Sequence, residues 1–232
     1  MNEMKLTTGQ FATAIFFPVM FPALMLLIGG NWFWSQMWVW GIWFVAYCWL
    51  VTAYLYFYDP ALLKERFQPL RTDNQKKDAA YLIFLIGFLF LTWIFILPLD
   101  AERFGWSPHF PLSVEVIGGV LLLGASFFMW RAFADNTFAS PLIRIQKERK
   151  QTVVTTGVYG FVRHPMYLGA LLLFIGTPLL LGSMWGLVIG GMLIYLMGIR
   201  AVGEEKMLVN ELEGYAEYSR HKVRYRFIPF IW

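Results

Sequence analysis

The chain alternates long apolar runs with short polar segments that carry nearly all of its charge. No Asp, Glu, Lys or Arg occurs within residues 6–58, 79–99, 116–130 or 165–199. A helix needs about 20 apolar residues to cross the hydrocarbon core of a bilayer. Because lipid offers no hydrogen bonds, each crossing segment must pair its backbone groups internally, as a helix does. The pattern predicts an all-α, polytopic integral membrane protein with about six transmembrane helices.

The first four predicted spans follow directly from the apolar runs. They cover residues 11–28, 34–56, 79–99 and 112–133. A polar loop, 59–78, separates the second span from the third, and a long polar segment, 134–163, follows the fourth. We therefore divide the chain into a four-helix transmembrane region, 1–133, and a second region, 134–232.

The last uncharged stretch, 165–199, is too long for one helix. Breaker residues interrupt it at Gly176-Thr177-Pro178 and again at Gly182-Ser183. We expect a tight C-terminal helical hairpin. Because Gly182, Gly186 and Gly190 recur every four residues, one of its helices should present a smooth stripe for close packing.

The segment 203–222 carries charges together with apolar residues at Leu208, Leu212 and Tyr215. This spacing predicts an amphipathic helix that lies at the membrane surface.

Composition and charge support a membrane protein and orient it. The chain is 58% hydrophobic and only 15% charged, whereas a soluble domain has about 25% charged residues. A large soluble helical protein would not produce uncharged runs of this length. Of the 19 lysines and arginines, only Arg103 falls in the loops opposite the termini. The positive-inside rule then puts both termini in the cytoplasm, and we expect a bacterial inner membrane.

The net charge of +4 is attributed to this orientation and to anionic lipid headgroups, not to nucleic acid. We expect the first apolar run to be a retained helix, because only Lys5 precedes it and no small-residue cleavage site follows it. The acidic residues Asp100, Glu102 and Glu115 lie toward the far face, where we expect them to be solvated.

The hairpin brings together two clusters of ionisable residues. Arg163 and His164 lie where the chain enters it, and Arg200, Glu204 and Glu205 lie where the chain leaves it. Antiparallel helices should bring both clusters to one membrane face. Ionisable groups at the rim of a membrane bundle suggest a functional site. Headgroup anchoring with a local Arg–Glu pair explains the same spacing, so spacing alone leaves both interpretations open.

Four sequence elements distinguish the two interpretations. Residues 153–169 read VVTTGVYGFVRHPMYLG, residues 200–208 read RAVGEEKML, residues 214–218 read GYAEY, and the chain ends in YRFIPFIW. Together they closely resemble the isoprenylcysteine carboxyl methyltransferase family and its prokaryotic relatives. The resemblance covers about 145–232, whereas the first four helices match only in hydropathy.

The resemblance implies S-adenosylmethionine as the methyl donor, bound on the cytoplasmic side. It implies a carboxylate ligand for the cofactor's charged end at Glu204 and a residue facing the methyl acceptor at Arg200. The other implied cofactor contacts are Gln146, Gln151, Thr152, Val153, Val154, Tyr159, His164, Pro165, Tyr167 and Glu205. Glu205 could instead cap the C-terminal helix.

Elementary chemistry agrees with these implied roles. A carboxylate complements the sulfonium and ammonium cations of the cofactor, and an arginine can hold a substrate carboxylate through two parallel hydrogen bonds. A carboxylate acceptor is already ionised at neutral pH, so its methylation needs no general base. His109 and His221 lack metal-ligand spacing, and we expect no metal. The implied partners are a lipophilic or lipidated acceptor and membrane lipid.

Several alternatives stay open. Gln151-Thr152 stands where eukaryotic members commonly have a histidine, which puts a prenylcysteine substrate in doubt. The acceptor could be a phospholipid amine or a small thiol, so O-, N- and S-methylation are all possible. An NADPH-dependent sterol-type reductase shares the R-H-P-x-Y element, although the R-x-x-x-E-E element favours a methyltransferase. A non-enzymatic membrane scaffold is the remaining alternative.

Overall fold

A computed structural model describes residues 6–67, 77–140 and 144–232, with only the backbone described at 77–80. Over these residues the chain is helical and contains no strand, so the predicted all-α class is confirmed. The helices are α1 Thr8–Gly29, α2 Ser35–Tyr58, α3 Pro60–Arg66, α4 Lys77–Pro98, α5 Leu112–Asp135, α6 Pro165–Leu181, α7 Met184–Glu211 and α8 Tyr215–Glu217. Short π-helical turns follow α4 and α8, at Leu99–Arg103 and Tyr218–Lys222.

The number of spans agrees with the sequence. Five of the described helices are long and apolar enough to cross a bilayer, namely α1, α2, α4, α5 and α7. Helix α6 is equally apolar but has only 17 residues. The loop predicted at 59–78 contains the short helix α3, whose first turn is capped by the Asp59 carboxylate; residues 68–76 lie outside the described part.

The apolar core joins both regions of the chain. Trp40 of α2 and Trp93 of α4 are almost fully buried, and each satisfies its indole N–H inside the bundle. The Trp40 indole donates to the Thr177 hydroxyl at 3.0 Å, and the Trp93 indole donates to the Gly186 carbonyl at 2.9 Å. A buried polar group that keeps a partner avoids the cost of desolvation. Helices α2, α4, α6 and α7 therefore share one core.

Polar contacts close the bundle at one end. Asp100 is fully buried, and its carboxylate accepts hydrogen bonds from the Ser183 hydroxyl at 2.6 Å and the Ser107 hydroxyl at 2.7 Å. The Glu102 carboxylate accepts from the Asn31 amide at 2.6 Å. The expectation that the far-face acids are solvated is wrong for Asp100, because the turn of the hairpin folds over it.

The predicted hairpin is confirmed, although its turn is shorter than expected. Gly182, with φ of +82°, ends α6, and Ser183 caps α7 by accepting from the Gly186 N–H at 2.8 Å. Gly176 and Pro178 lie inside α6. The expected packing stripe is thus reduced to Gly186 and Gly190, because Gly182 is the turn.

The C-terminal segment differs from the predicted amphipathic helix over 203–222. Helix α7 continues without a break to Glu211, and Gly214, with φ of +81°, starts a new direction. The apolar side chains of this segment face protein, since Leu212 and Tyr215 are buried in a cluster that also holds Ile145 and Val153. The segment before the hairpin supplies the apolar surface that we expected from lipid.

The contact at Gly190 gives a test of hairpin packing. A Cβ at Gly190 would lie 2.6 Å from the Phe174 carbonyl oxygen, whereas a Cβ at the neighbouring Gly191 would meet nothing within 4 Å. We expect Gly190→Ala to lower the free energy of unfolding by about 1–3 kcal/mol, because α6 and α7 must move apart. Thermal unfolding in detergent measures this change. Gly191→Ala is the matched control, and equal losses in both variants would contradict the packing.

Candidate active site

A recess opens at the end of the bundle where α5 ends and α6 begins. The space between its walls is about 920 Å³, a volume that includes the open, solvent-filled mouth. Its walls come from the segment between α5 and α6, the start of α6, the C-terminal part of α7, and the residues from Leu212 to Tyr218 that include α8. The lining residues are Asn136, Phe138, Ala139, Ser140, Arg144, Gln151, Thr152, Val153, Val154, Tyr159, Arg163, His164, Pro165, Met166, Tyr167, Arg200, Glu204, Met207, Leu208, Leu212, Tyr215 and Tyr218.

A tight turn at Gly157 positions Tyr159 at the recess. Gly157 has φ of +59°, which favours glycine, and a Cβ there would overlap the Asp135 carboxylate. That carboxylate accepts a hydrogen bond from the Val158 N–H at 2.9 Å and pairs with Arg131. The turn leads to Tyr159, which lines the recess.

His164 and Pro165 lie at the start of α6, with Pro165 in the first turn, where its missing N–H costs nothing. The His164 ring stacks on the Tyr167 ring, with centroids 5.2 Å apart and planes 9° apart. These side chains therefore form one aromatic wall of the recess.

The expected meeting of the two ionisable clusters is confirmed. The Tyr167 hydroxyl donates to the Glu204 carboxylate at 2.8 Å, which joins α6 to α7. Arg200 lies one turn before Glu204 on α7, and its guanidinium interacts with the same Tyr167 hydroxyl. Both charged groups line the recess. A cation, an anion and a phenol therefore face one space.

Glu205 lies outside the lining and has another environment. Its carboxylate is buried and accepts from the Arg163 Nε at 2.7 Å and the Arg226 Nε at 2.9 Å. The His164 Nε2 lies 3.2 Å from the same carboxylate. Two further Arg163 hydrogen bonds, each 2.8 Å long, reach the carbonyl oxygens of Val223 and Arg224. Glu205 thus ties α6, α7 and the C-terminal segment together.

Gln146 also lies outside the lining. It is fully buried, and its side-chain amide donates to the Phe138 carbonyl at 2.9 Å and accepts from Arg149 at 2.8 Å. Its backbone N–H donates to the Gln151 side chain at 2.8 Å. Gln146 therefore shapes the wall behind Gln151, and its predicted cofactor contact stays a prediction.

The wall at 151–154 presents open backbone groups. Gln151, Thr152, Val153 and Val154 all line the recess. In the described part of the chain, no hydrogen bond satisfies the backbone N–H or C=O groups of 152–154. This stretch of chain can therefore offer donors and acceptors to a ligand.

Another wall of the recess is held by Glu65 in the N-terminal half, and we call its hydrogen bonds to Arg144 and Ser140 the clamp. The Glu65 carboxylate of α3 accepts two hydrogen bonds of 3.0 Å from the Arg144 Nη2 and one of 3.0 Å from the Ser140 hydroxyl. Arg66 donates to the Ala139 carbonyl at 3.4 Å. Because Ala139, Ser140 and Arg144 all line the recess, α3 positions this wall from outside.

Two tyrosines, Tyr159 and Tyr218, stabilise the lining of the recess. Burial raises the pKa of Tyr159 and of Tyr218 above the ordinary value, so both stay protonated donors at physiological pH. The Tyr218 hydroxyl donates to the Tyr159 carbonyl at 2.6 Å. The turn around Tyr159 is thereby fastened to the C-terminal segment.

Sequence reasoning missed part of the lining. The lining residues for which the sequence predicted no ligand contact are Asn136, Phe138, Ala139, Ser140, Arg144, Arg163, Met166, Met207, Leu208, Leu212, Tyr215 and Tyr218. A helical signal was available for two of them, because Met207 and Leu208 follow Arg200 by seven and eight residues on one face of α7. The segment between α5 and α6 is irregular, so no period points to its lining residues.

The contrast between two adjacent glutamates gives a test of the site. Glu205→Gln removes the counter-charge of buried Arg163, and we expect the free energy of unfolding to fall by about 3–5 kcal/mol. The Glu204 side chain is partly exposed, and Glu204→Gln keeps an oxygen that can accept from Tyr167, so this change should cost about 1 kcal/mol or less. Thermal unfolding of both variants in detergent compares them. A larger loss at Glu204 would contradict the assigned roles.

The clamp gives a second test. We expect Glu65→Gln to weaken its charge-assisted bonds to Arg144, so that the protection of the hydrogen-bonded amides within 146–151 falls roughly tenfold in hydrogen exchange. Glu148 also pairs with Arg144, but its side chain is 57% exposed. Glu148→Gln is therefore the control, with little change expected. Equal protection in Glu65→Gln and the unaltered protein would exclude the clamp.

Comparisons with known proteins fit this geometry. Residues 114–214, which contain most of α5, all of α6 and α7 and most of the recess, match the phospholipid methyltransferase family. Protein-S-isoprenylcysteine O-methyltransferase A of Arabidopsis thaliana is 28% identical over 132 residues, covering 56% of this chain and 64% of the relative. Protein-S-isoprenylcysteine O-methyltransferase of Saccharomyces cerevisiae is 38% identical over 141 residues, covering 59% and 57%. The chain thus spans about three fifths of the length of these relatives.

Proposed function

We propose that this chain is an integral membrane methyltransferase related to the isoprenylcysteine carboxyl methyltransferases, on the strength of its motifs and of its similarity to the relatives named above. We propose S-adenosylmethionine as its methyl donor and carboxyl O-methylation of a lipophilic, isoprenylcysteine-like acceptor as its reaction. The observation that carries the proposal is the recess in which Arg200 and Glu204 of α7 meet His164 and Tyr167 of α6.

The residues present fit this cofactor. Glu204 offers a carboxylate to its cationic end, and Tyr167 orients that carboxylate by a hydrogen bond. The open backbone groups of 152–154 can pair with polar edges of a nucleoside. His164, Pro165 and Tyr167 supply an aromatic and apolar wall. Bound there, the cofactor supplies an electrophilic methyl group.

Arg200 is suited to the acceptor. Its guanidinium lines the recess one helical turn from Glu204, so it can hold an acceptor carboxylate through parallel hydrogen bonds while Glu204 engages the donor. An ionised carboxylate needs no general base. The task of the chain is then to hold donor and acceptor in line and to exclude water, which can supply most of the rate enhancement.

The position of the recess fits an acceptor that stays in the bilayer. The recess lies at the ends of membrane-crossing helices, close to the level where lipid headgroups begin. Every lysine and arginine except Arg103 lies in a segment that the topology puts on the same side of the membrane as the recess. By the positive-inside rule, we assign the recess to the cytoplasmic face. We accordingly assign cofactor binding to the second region, 134–232.

A second candidate reaction is methylation of a phospholipid amine, which the family match over 114–214 favours. An amine loses a proton on methylation, so this reaction needs a proton acceptor that a carboxylate substrate does not need. In that case Arg200 would hold the lipid phosphate instead. The chemical stability of the product separates the two reactions.

Binding in detergent tests the cofactor. We expect S-adenosylhomocysteine to bind in isothermal titration and NADPH not to bind. Glu204→Gln and His164→Ala should lower methyl transfer by roughly 100-fold or more, because each removes a group that positions the reactants. Glu211→Gln, an exposed change at the end of the same helix, is the control. Binding of NADPH without S-adenosylhomocysteine would favour a reductase and overturn the proposal.

Radiolabelled transfer to prenylcysteine analogues and to lipid extract extends the same assay to the acceptor. A label that base releases indicates a methyl ester and supports carboxyl methylation. A base-stable label on a lipid amine would replace that reaction with the second candidate. Equal turnover by Glu204→Gln and the unaltered protein would remove Glu204 from the site.

A further inference from the structure

The hydroxyl of Tyr215 is an unpaired polar group inside the recess. The residue is only 5% exposed, and its hydroxyl oxygen is buried without a hydrogen-bond partner among the described residues. The side chain lines the recess. Sequence reasoning placed Tyr215 in an amphipathic helix and gave it no contact with a ligand.

Such a group is unusual in a folded protein. Most buried polar side-chain atoms have a partner, and each exception calls for an explanation. Phenylalanine would fill the same apolar surroundings, which include Val153, Leu208 and Leu212, without leaving a polar atom unpaired. The hydroxyl therefore has no structural task in the ligand-free protein.

The neighbouring Tyr218 shows the contrast. Its ring lies 5.5 Å from the Tyr215 ring, and both side chains are buried in the same cluster. Its hydroxyl, however, donates to the Tyr159 carbonyl at 2.6 Å. Two tyrosines of similar burial thus differ in one respect: the Tyr218 hydroxyl stabilises the fold and the Tyr215 hydroxyl does not.

The surroundings suggest which part of a ligand Tyr215 meets. The charged side of the recess holds Arg200, Glu204 and Tyr167, which suit the ionic groups of donor and acceptor. The Tyr215 ring packs against apolar side chains, Val153 and Leu212, and lies beside the open backbone of 152–154, while its hydroxyl is within electrostatic range of Glu204. A flat, weakly polar group with hydrogen-bonding edges fits such a wall, as a nucleoside does.

We propose that the Tyr215 hydroxyl is a cofactor-binding group that hydrogen-bonds the nucleoside half of the sulfonium cofactor. This inference rests on the proposed function, because it concerns the same recess. The bound nucleoside supplies the hydrogen-bond partner that the Tyr215 hydroxyl lacks in the ligand-free protein. The protein keeps an unsatisfied group in the ligand-free state, and ligand binding satisfies it.

The test uses two readouts that should move in opposite directions. We expect Tyr215→Phe to leave the melting temperature of the ligand-free protein unchanged or raised, because it removes an unpaired polar atom. The same variant should bind S-adenosylhomocysteine about 5- to 10-fold more weakly in isothermal titration, as loss of one hydrogen bond implies. A merely structural tyrosine would lower the melting temperature when its hydroxyl is removed.

Matched variants complete the design. Tyr218→Phe should lower the ligand-free melting temperature, since it breaks the bond to Tyr159. Tyr195→Phe, at a side chain that is 70% exposed on α7, should change neither readout. Adenosine, which has the nucleoside but not the charged end of the cofactor, tests the two ends of the recess separately when its binding is measured by thermal shift. Tyr215→Phe should weaken the response to adenosine, whereas Glu204→Gln should weaken only that to S-adenosylhomocysteine.

Each failure has a distinct meaning. If Tyr215→Phe binds S-adenosylhomocysteine and adenosine as the unaltered protein does, Tyr215 is not a ligand group, although the proposed function stands. A weaker response to S-adenosylhomocysteine with an unchanged response to adenosine would also overturn the assignment to the nucleoside half. If the unaltered protein binds neither compound, the proposed function fails first and this inference fails with it.

Discussion

The buried carboxylate of Glu205 is the interaction on which the site depends. It faces Arg163 and His164 from the start of α6 and Arg226 from the C-terminal segment. Burying one charge in this position is costly unless its partners are well placed, and here hydrogen bonds fix each partner. One side chain therefore sets the register of α6 against α7. That register lets Tyr167 reach Glu204 and points both toward the recess.

Much of the fold was predictable because its determinants are local or periodic. Uncharged runs identified the spans, the breakers around Gly182 identified the hairpin, and antiparallel geometry brought His164 and Glu204 together. The sequence could not predict that Glu204 lines the recess whereas Glu205 is buried and pairs with arginines. Adjacent helical residues point about 100° apart, and the tertiary contacts with Arg163, His164 and Arg226 decide which one is enclosed.

The remaining differences have one physical cause, which is that irregular segments follow no period. Residues 134–163 supply much of the recess, yet their lining depends on distant contacts such as Glu65 with Arg144. For the same reason Leu212 and Tyr215 were assigned to lipid, when Val153 covers them. Helix α3 lies outside the family match over 114–214, but it still shapes the recess through Glu65.

The brevity of α6 has a consequence for the surrounding lipid. Its 17 residues span about 25 Å, whereas the 28 residues of α7 span about 42 Å, against a hydrocarbon core of about 30 Å. A hydrophobic segment shorter than the core thins the bilayer around it. We therefore expect the bilayer to be locally thin beside α6. An amphiphile in the leaflet on the side of His164 would then have its polar head at the depth of the recess while its tail stays in the membrane.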